Sequence, residues 1–190
     1  MQRRILGGLT ALAAALPLAS YAETMDYSYA EIGYVDTEFE GRGFDVDGDG
    51  FALRGSVAVN QTFFVFAGYE DIGLDEGVDL TTLNVGGGAH WPLNDRLDIV
   101  GRLGIVQAEI EAGPFEEDED GFLLGARLRG AVSPKFELEG GVDYMDIDTG
   151  EDTFVVLEGR YFFVDQFAGG LGLQIGDDVT SIGLNLRVTF

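Results

Sequence analysis

Ten segments of about ten residues alternate apolar and polar side chains with period two, and none shows the i, i+3, i+4 spacing of an amphipathic helix. That pattern constrains the fold more than any other feature of this chain. The segments cover roughly 27–36, 51–59, 62–71, 79–90, 97–110, 121–132, 136–146, 153–163, 167–176 and 180–190. In the last one, Ile182, Leu184, Leu186, Val188 and Phe190 share a face and Ser181, Gly183, Asn185, Arg187 and Thr189 take the other. Phe122, Leu124, Ala126 and Leu128 oppose Arg127 and Arg129 in the sixth, and Phe136, Leu138, Val142 and Tyr144 oppose Glu137, Glu139 and Asp143 in the seventh. Leu97, Ile99, Leu103 and Ile105 oppose Asp98 and Arg102 in the fifth. The first and third segments leave the phase open, because Tyr27, Tyr29, Phe64 and Phe66 suit either face.

A soluble sandwich alternates too, so connectors and charge must decide. Short connectors at Asn60-Gln61, 91–96, 133–135 and 164–166 alternate with longer ones at 37–50, 72–78, 111–120 and 147–152, and with a shorter acidic one at 176–179. Tight turns on one side and long loops on the other mark a transmembrane barrel, whose tilted strands need ~9–11 residues to cross lipid. Taken generously as 36–50, 71–79, 109–120, 146–152 and 176–179, the outer connections hold 23 of the 34 acidic residues and a single base, Arg42. Six bases (Arg54, Arg102, Arg127, Arg129, Arg160 and Arg187) fall instead on the polar strand face, where a barrel lumen would let them pair with Glu away from lipid. The expected fold is all-β: an antiparallel up-and-down transmembrane β-barrel of ten strands, with eight as the alternative. An even number places both termini on the periplasmic side.

Residues 1–22 read as a cleaved signal peptide. Arg3 and Arg4 form the charged start, Ile5–Leu18 the apolar stretch, and Ser20 and Ala22 the small residues before the cut. The remaining chain, 23–190, is one barrel domain carrying 9 basic and 34 acidic residues. It is expected in the bacterial outer membrane, exported through the periplasm.

Register arithmetic locates the interior charges. A turn at 133–135 sets Arg129 opposite Glu139, and the next hairpin sets Glu139 opposite Arg160 with Glu158 close by. The expected lumen lining is Arg54, Arg102, Arg127, Arg129, Glu137, Glu139, Glu158, Arg160 and Arg187. These groups either line a narrow path or simply neutralise one another as interior filler. Phe154 and Phe162 could narrow the bore further. Glycines within strands, such as Gly86, Gly88, Gly104, Gly125, Gly141, Gly170, Gly172 and Gly183, would make room for long side chains or leave a water-filled gap. Tyr34, Tyr69, Trp91, Phe136, Tyr144, Tyr161, Phe163 and Phe167 suit the two interfacial girdles.

The run Ile182-x-Leu-x-Leu-x-Val-x-Phe190, the start YSYAEIGYV at 27–35 and the stretch DGDGFALRGSVAVNQTFFVFAGYE at 47–70 together resemble the small bacterial outer-membrane β-barrel family of OmpA- and OmpX-like architecture. Members of that architecture have eight strands. The resemblance implies that Phe190 belongs to the signal read by the barrel assembly machinery. It also implies contact with outer-membrane lipid and lipopolysaccharide.

Composition removes several kinds of chemistry. A net charge of −23 excludes the basic footprint of a nucleic-acid binder. With no cysteine and one histidine there is no thiolate nucleophile and no Cys- or multi-His metal site. The lone His90, beside Trp91-Pro92, has Asp98 as its expected neighbour across a hairpin and no positioned Ser nucleophile in view. Asp45, Asp47 and Asp49 form the first half of a D-x-D-x-D-G calcium loop, but its twelfth position is Ser56, so only weak metal binding is expected there. No cofactor is expected, beyond weak Ca2+ or Mg2+ association at the acidic extracellular loops. The expected function is a non-enzymatic, monomeric barrel, structural or a narrow ion and water pore. The alternative is a surface adhesion or recognition protein acting through those loops.

Overall fold

The computed structural model describes residues 25–41, 44–75, 77–148 and 150–190. The expected signal peptide therefore lies outside the described residues. Within them the chain forms ten strands and no helix: β1 Tyr29–Gly41, β2 Phe44–Ala58, β3 Phe63–Leu74, β4 Val78–Asn94, β5 Leu97–Ala112, β6 Phe115–Ser133, β7 Phe136–Ile147, β8 Gly150–Val164, β9 Phe167–Ile175 and β10 Val179–Thr189. Each strand pairs antiparallel with the next, and β1 also pairs with β10, which closes the sheet. Closure leaves no unpaired edge, the condition under which strands can cross hydrocarbon.

The alternation is inverted relative to a soluble protein. Leu103 and Ile105 on the outer wall are 60% and 70% exposed, whereas the inward Arg160 and Arg187 are 2% and 3% exposed. The open phases of β1 and β3 resolve inward: Glu31, Phe64 and Phe66 are buried, and Tyr27, just upstream of β1, is buried with them. Outward aromatics gather near both ends of the apolar band. Phe51 meets Tyr69 at 5.8 Å and Phe122 meets Tyr144 at 5.9 Å near one end. Tyr161 and Phe163 meet edge-on at 5.6 Å near the other, the end that carries both chain termini.

The connections at the end away from the termini differ from the expectation. The described residues of 37–50 are strand, and 111–120 is strand on both sides of a turn at 113–114, where loops were expected. β1 and β2 stay paired to Gly41↔Phe44, β5 and β6 to Ala112↔Phe115, and β7 and β8 to Ile147↔Gly150. The reason lies in the alternate residues: Thr37, Phe39, Val46 and Ile110 continue the period-two pattern between the acids, and a closed ladder satisfies the backbone wherever it runs. Gly77, just before β4, and Gly113, in the turn between β5 and β6, stand at positive φ (77° and 63°), a backbone region open to glycine. At the terminal end Asn60 Oδ1 accepts from the backbone N–H of Thr62 (2.8 Å) and Phe63 (2.9 Å), an Asx turn that holds the β2–β3 connection short. The wall is uneven, since β6 has 19 residues and β9 only nine.

Interior volume is shared between large and absent side chains. Phe64 is opposite Gly88 and Phe66 opposite Gly86. A Cβ added at Gly88 would fall 2.2 Å from the Phe64 ring, and one at Gly86 would fall 2.6 Å from the ring of Phe66. Gly88→Ala is therefore expected to destabilise the barrel by about 1–3 kcal/mol through overpacking. The cost should shrink in a Phe64→Leu background. Urea unfolding in lipid, followed by heat-shifted gel mobility, checks both.

Candidate functional site

Six guanidinium groups and six carboxylates, counted among the described residues, form an ion-pair belt across the lumen. Its larger part starts at Arg160 on β8, which reaches Glu137 at 2.7 Å and Glu139 at 2.9 Å on β7 and also pairs with Glu158 on its own strand. Arg129 holds Glu137 at 2.9 Å. Arg127 holds Glu139 at 3.0 Å and pairs closely with Asp143, which Arg102 approaches at 3.8 Å. Asn185 donates its side-chain N–H to Glu158 Oε1 at 2.9 Å. The smaller part centres on Glu31, in register with Arg54 on one side and Arg187 on the other. Arg187 reaches it at 2.8 Å and Arg54 at 3.3 Å, while Arg54 also lies 3.7 Å from Glu70. Each part is internally balanced, which offsets the cost of holding charge out of bulk water.

Aromatic faces brace the cations. The Arg187 guanidinium lies 3.7 Å from the Tyr29 ring centroid and that of Arg102 lies 4.3 Å from Phe66. Alongside the belt runs a cavity of about 210 Å³, bordered by Arg54, Glu70, Arg102, Phe154, Gln174 and Tyr27 among others. The Arg54 side chain is 43% exposed and borders this cavity.

All nine residues expected to line the lumen face it, but their connections differ from the expected ladder. Arg129 is opposite Glu139 as the turn at 133–135 dictates, yet its guanidinium leans diagonally onto Glu137. The β7–β8 register is two residues away from the expected one, pairing Glu137 with Arg160 and Glu139 with Glu158. Strand pairing persists to Ile147↔Gly150, so the hairpin closes more tightly than a loop over 147–152 would allow. Glu31 and Glu70 join the belt unannounced, and Asp143, expected on the polar face of its strand but not among the lining residues, joins it as well. Phasing β1 by its charge at Glu31, instead of by its tyrosines, would have found the first.

At the terminal end His90 Nδ1 lies 3.1 Å from Asp98 Oδ2, the neighbour expected across the hairpin. The same oxygen accepts from Tyr27 O–H at 2.9 Å. At the other end the acids stand on ladders. Beyond the outward pair Ile105 and Phe122 come Gln107↔Asp120, Glu109↔Asp118 and Glu111↔Glu116. Carboxylate oxygens of Glu109, Glu111 and Glu116 lie within 4.8 Å of one another. Loss of surrounding water, then the charges of Asp118, Glu116 and Glu111, raises the pKa of Glu109 above its ordinary value. The D-x-D-x-D-G run is extended strand within β2, with Asp47 opposite Glu38 and Asp49 opposite Asp36. Successive same-face residues on a strand stand ~6.5 Å apart, so Asp47 and Asp49 are spaced along a strand and not around a calcium loop. The side chain of Asp45 lies outside the described residues.

The sequence profile of the outer membrane protein beta-barrel domain matches residues 6–190. The chain belongs to that family. No curated protein matches the sequence. An outer membrane channel from Pseudomonas putida F1 shares the barrel fold at 10% identity, with 93% of this chain and all of that one covered and a TM-score of 0.52. The KdgM porin in complex with disordered oligogalacturonate aligns over 84% of this chain and 99% of its own, at 10% identity and a TM-score of 0.49. Ail, the attachment invasion locus protein of Yersinia pestis, aligns over 87% and 98% at 18% identity and a TM-score of 0.41. This family member is a protein of the outer membrane, and its structural neighbours include porins, channels and an attachment protein.

Two measurements test the energetics of this family member. Arg160→Met leaves three carboxylates short of a partner and is expected to cost about 3–5 kcal/mol, whereas the half-exposed Arg54→Met should cost less than about 1 kcal/mol. Urea unfolding in vesicles separates them. Glu109 holds its proton more tightly in the folded hairpin than in the unfolded chain. Its stabilising contribution is therefore present at acid pH and is lost as pH rises through its folded pKa. Intrinsic-rate-corrected amide exchange over 107–120 should slow as pH falls from neutral, and Glu109→Gln should remove part of that dependence.

Proposed function

We propose that this chain is a non-enzymatic outer-membrane barrel whose lumen is closed to solutes and leaves a narrow path for water and small ions. The observation that carries this reading is the balanced ion-pair belt. Anything larger than a small ion would have to separate pairs such as Arg160 with Glu137, Glu139 and Glu158, each buried and hydrogen-bonded. The cavity of about 210 Å³ beside the belt supports a wet interior and not a packed one. Ser56 Oγ, Arg129 Nε, Asn185 Oδ1 and Arg187 Nη1, buried there without a protein partner, support it too. Lipid and lipopolysaccharide are the surroundings this reading assigns to the outer wall, with the barrel assembly machinery engaged through the Phe190 end and the folded protein monomeric.

Refolded protein of verified heat-shifted mobility should give small, ion-only steps in planar bilayers and no sugar-driven swelling of liposomes. Neutralising the belt with Arg129→Gln or Glu139→Gln should change the size or ion preference of those steps. Sugar-permeable conductance from the unaltered chain would sink the reading.

A second reading, recognition at the cell surface, is favoured by the outward acidic ladders of the β5–β6 hairpin. A cationic partner, or divalent cations bridging to lipopolysaccharide phosphate, would meet them. Replacing Glu109, Glu111, Glu116 and Asp118 by Gln should then abolish uptake of Ca2+ or Mg2+ or binding of a cationic peptide, measured by titration calorimetry at low salt, with the barrel intact.

A further inference from the structure

Tyr27 stands two residues before β1, outside the strand ladder, yet its side chain is 4% exposed inside the terminal mouth of the lumen. Four groups from four different strands hold it. Its O–H donates to Asp98 Oδ2 of β5 at 2.9 Å. Its ring stacks on His90 of β4, centroids 3.9 Å apart and 15° from parallel, and on Phe64 of β3 at 5.1 Å. The Arg129 guanidinium of β6 sits 4.6 Å from its centroid. In a ring of ten strands β6 lies across the barrel from β1. The chain therefore reaches over the mouth to the opposite wall.

This side chain is also a border of the interior cavity, together with Phe64, Val100 and Arg129. Above it lies the wet part of the lumen; beyond it lies the terminal end. The next residue is fixed to the barrel: the Ser28 carbonyl accepts from Phe190 N–H at 3.1 Å and its Oγ accepts from Ala58 N–H at 3.1 Å. Residues 25–28 belong to no strand. The ring could leave by rotation upstream of Ser28, breaking the contacts of Tyr27 and none of the hydrogen bonds that close β1 on β10 and β2.

We propose that Tyr27 is a gate, a ring fastened by Asp98 that seals the periplasmic mouth of the lumen and whose withdrawal joins the cavity to the periplasm. The proposal rests on the reading of the lumen as a narrow wet path. A neutral ring stacked on an imidazole, with a charge-assisted hydrogen bond at its tip, suits a seal that holds firmly and releases without rebuilding the wall.

The natural chain has no cysteine, so a single introduced thiol reports access. Val100→Cys places it behind the ring, in the cluster that Tyr27 and Phe64 form, and Gln174→Cys places one on the cavity wall toward the acidic end. Each is refolded into vesicles and labelled with a small charged methanethiosulfonate. Tyr27→Ala should speed labelling at position 100 at least tenfold and leave position 174 unchanged. Tyr27→Phe, which keeps the ring and loses only the bond to Asp98, should speed position 100 by a few fold and covers the case in which the alanine variant fails to assemble. Equal rates at position 100 across the variants overturn the gate, and so does a parallel rise at position 174, which would mean a loosened barrel. These rates read access at the mouth alone. Sugar flux through the unaltered chain would overturn the lumen reading separately.

Discussion

Closing a sheet whose outer wall must satisfy lipid forces the charges inward, and every other feature of this barrel follows from having to neutralise them there. The belt does so with equal numbers of guanidinium and carboxylate groups divided over two self-balanced parts. Arg160 alone ties three carboxylates on two strands, so β7 and β8 are joined by side chains as well as by their ladder. Such pairs add less stability than their number suggests, because each charge also gives up water. What they specify is register: a one-residue slip of either strand would turn its whole charged set toward lipid.

The belt does not fill the bore by itself. Phe64 and Phe66 occupy the room left by Gly88 and Gly86, so one sector of the lumen is packed like a conventional core while the neighbouring sector is charged and borders the cavity. The barrel is thus filled unevenly around its axis. The Tyr27 ring joins the two sectors, with Phe64 on its apolar side and Arg129 and Asp98 on its polar side.

Much of this was legible in the amino-acid order. Strand number, closure and the phases of β5, β6, β7 and β10 follow from period-two patterning with charges on one face. The phases of β1 and β3 were hidden because their inward residues include Tyr27, Tyr29, Phe64 and Phe66, whose burial depends on glycines far away in sequence at Gly86 and Gly88. The β7–β8 register was missed because it turns on how tightly one hairpin closes, which a run such as Asp-Ile-Asp-Thr-Gly does not settle locally. Dense acid likewise disguised strand as loop. Like charges disfavour neighbouring positions, but the backbone ladder and alternate residues such as Phe39, Val46 and Ile110 outweigh that repulsion.

The acidic hairpins have a consequence for the water around them. Carboxylates on flexible loops would drift apart and dilute their own field; on ladders such as Glu109↔Asp118 and Glu111↔Glu116 they keep fixed spacings. Negative charge held at such spacings draws protons and cations to within about a Debye length, ~8 Å at physiological salt. The mouth of the barrel therefore opens into a film more acidic and richer in cations than the bulk medium. Whatever approaches this end of the barrel meets that film before it meets the protein.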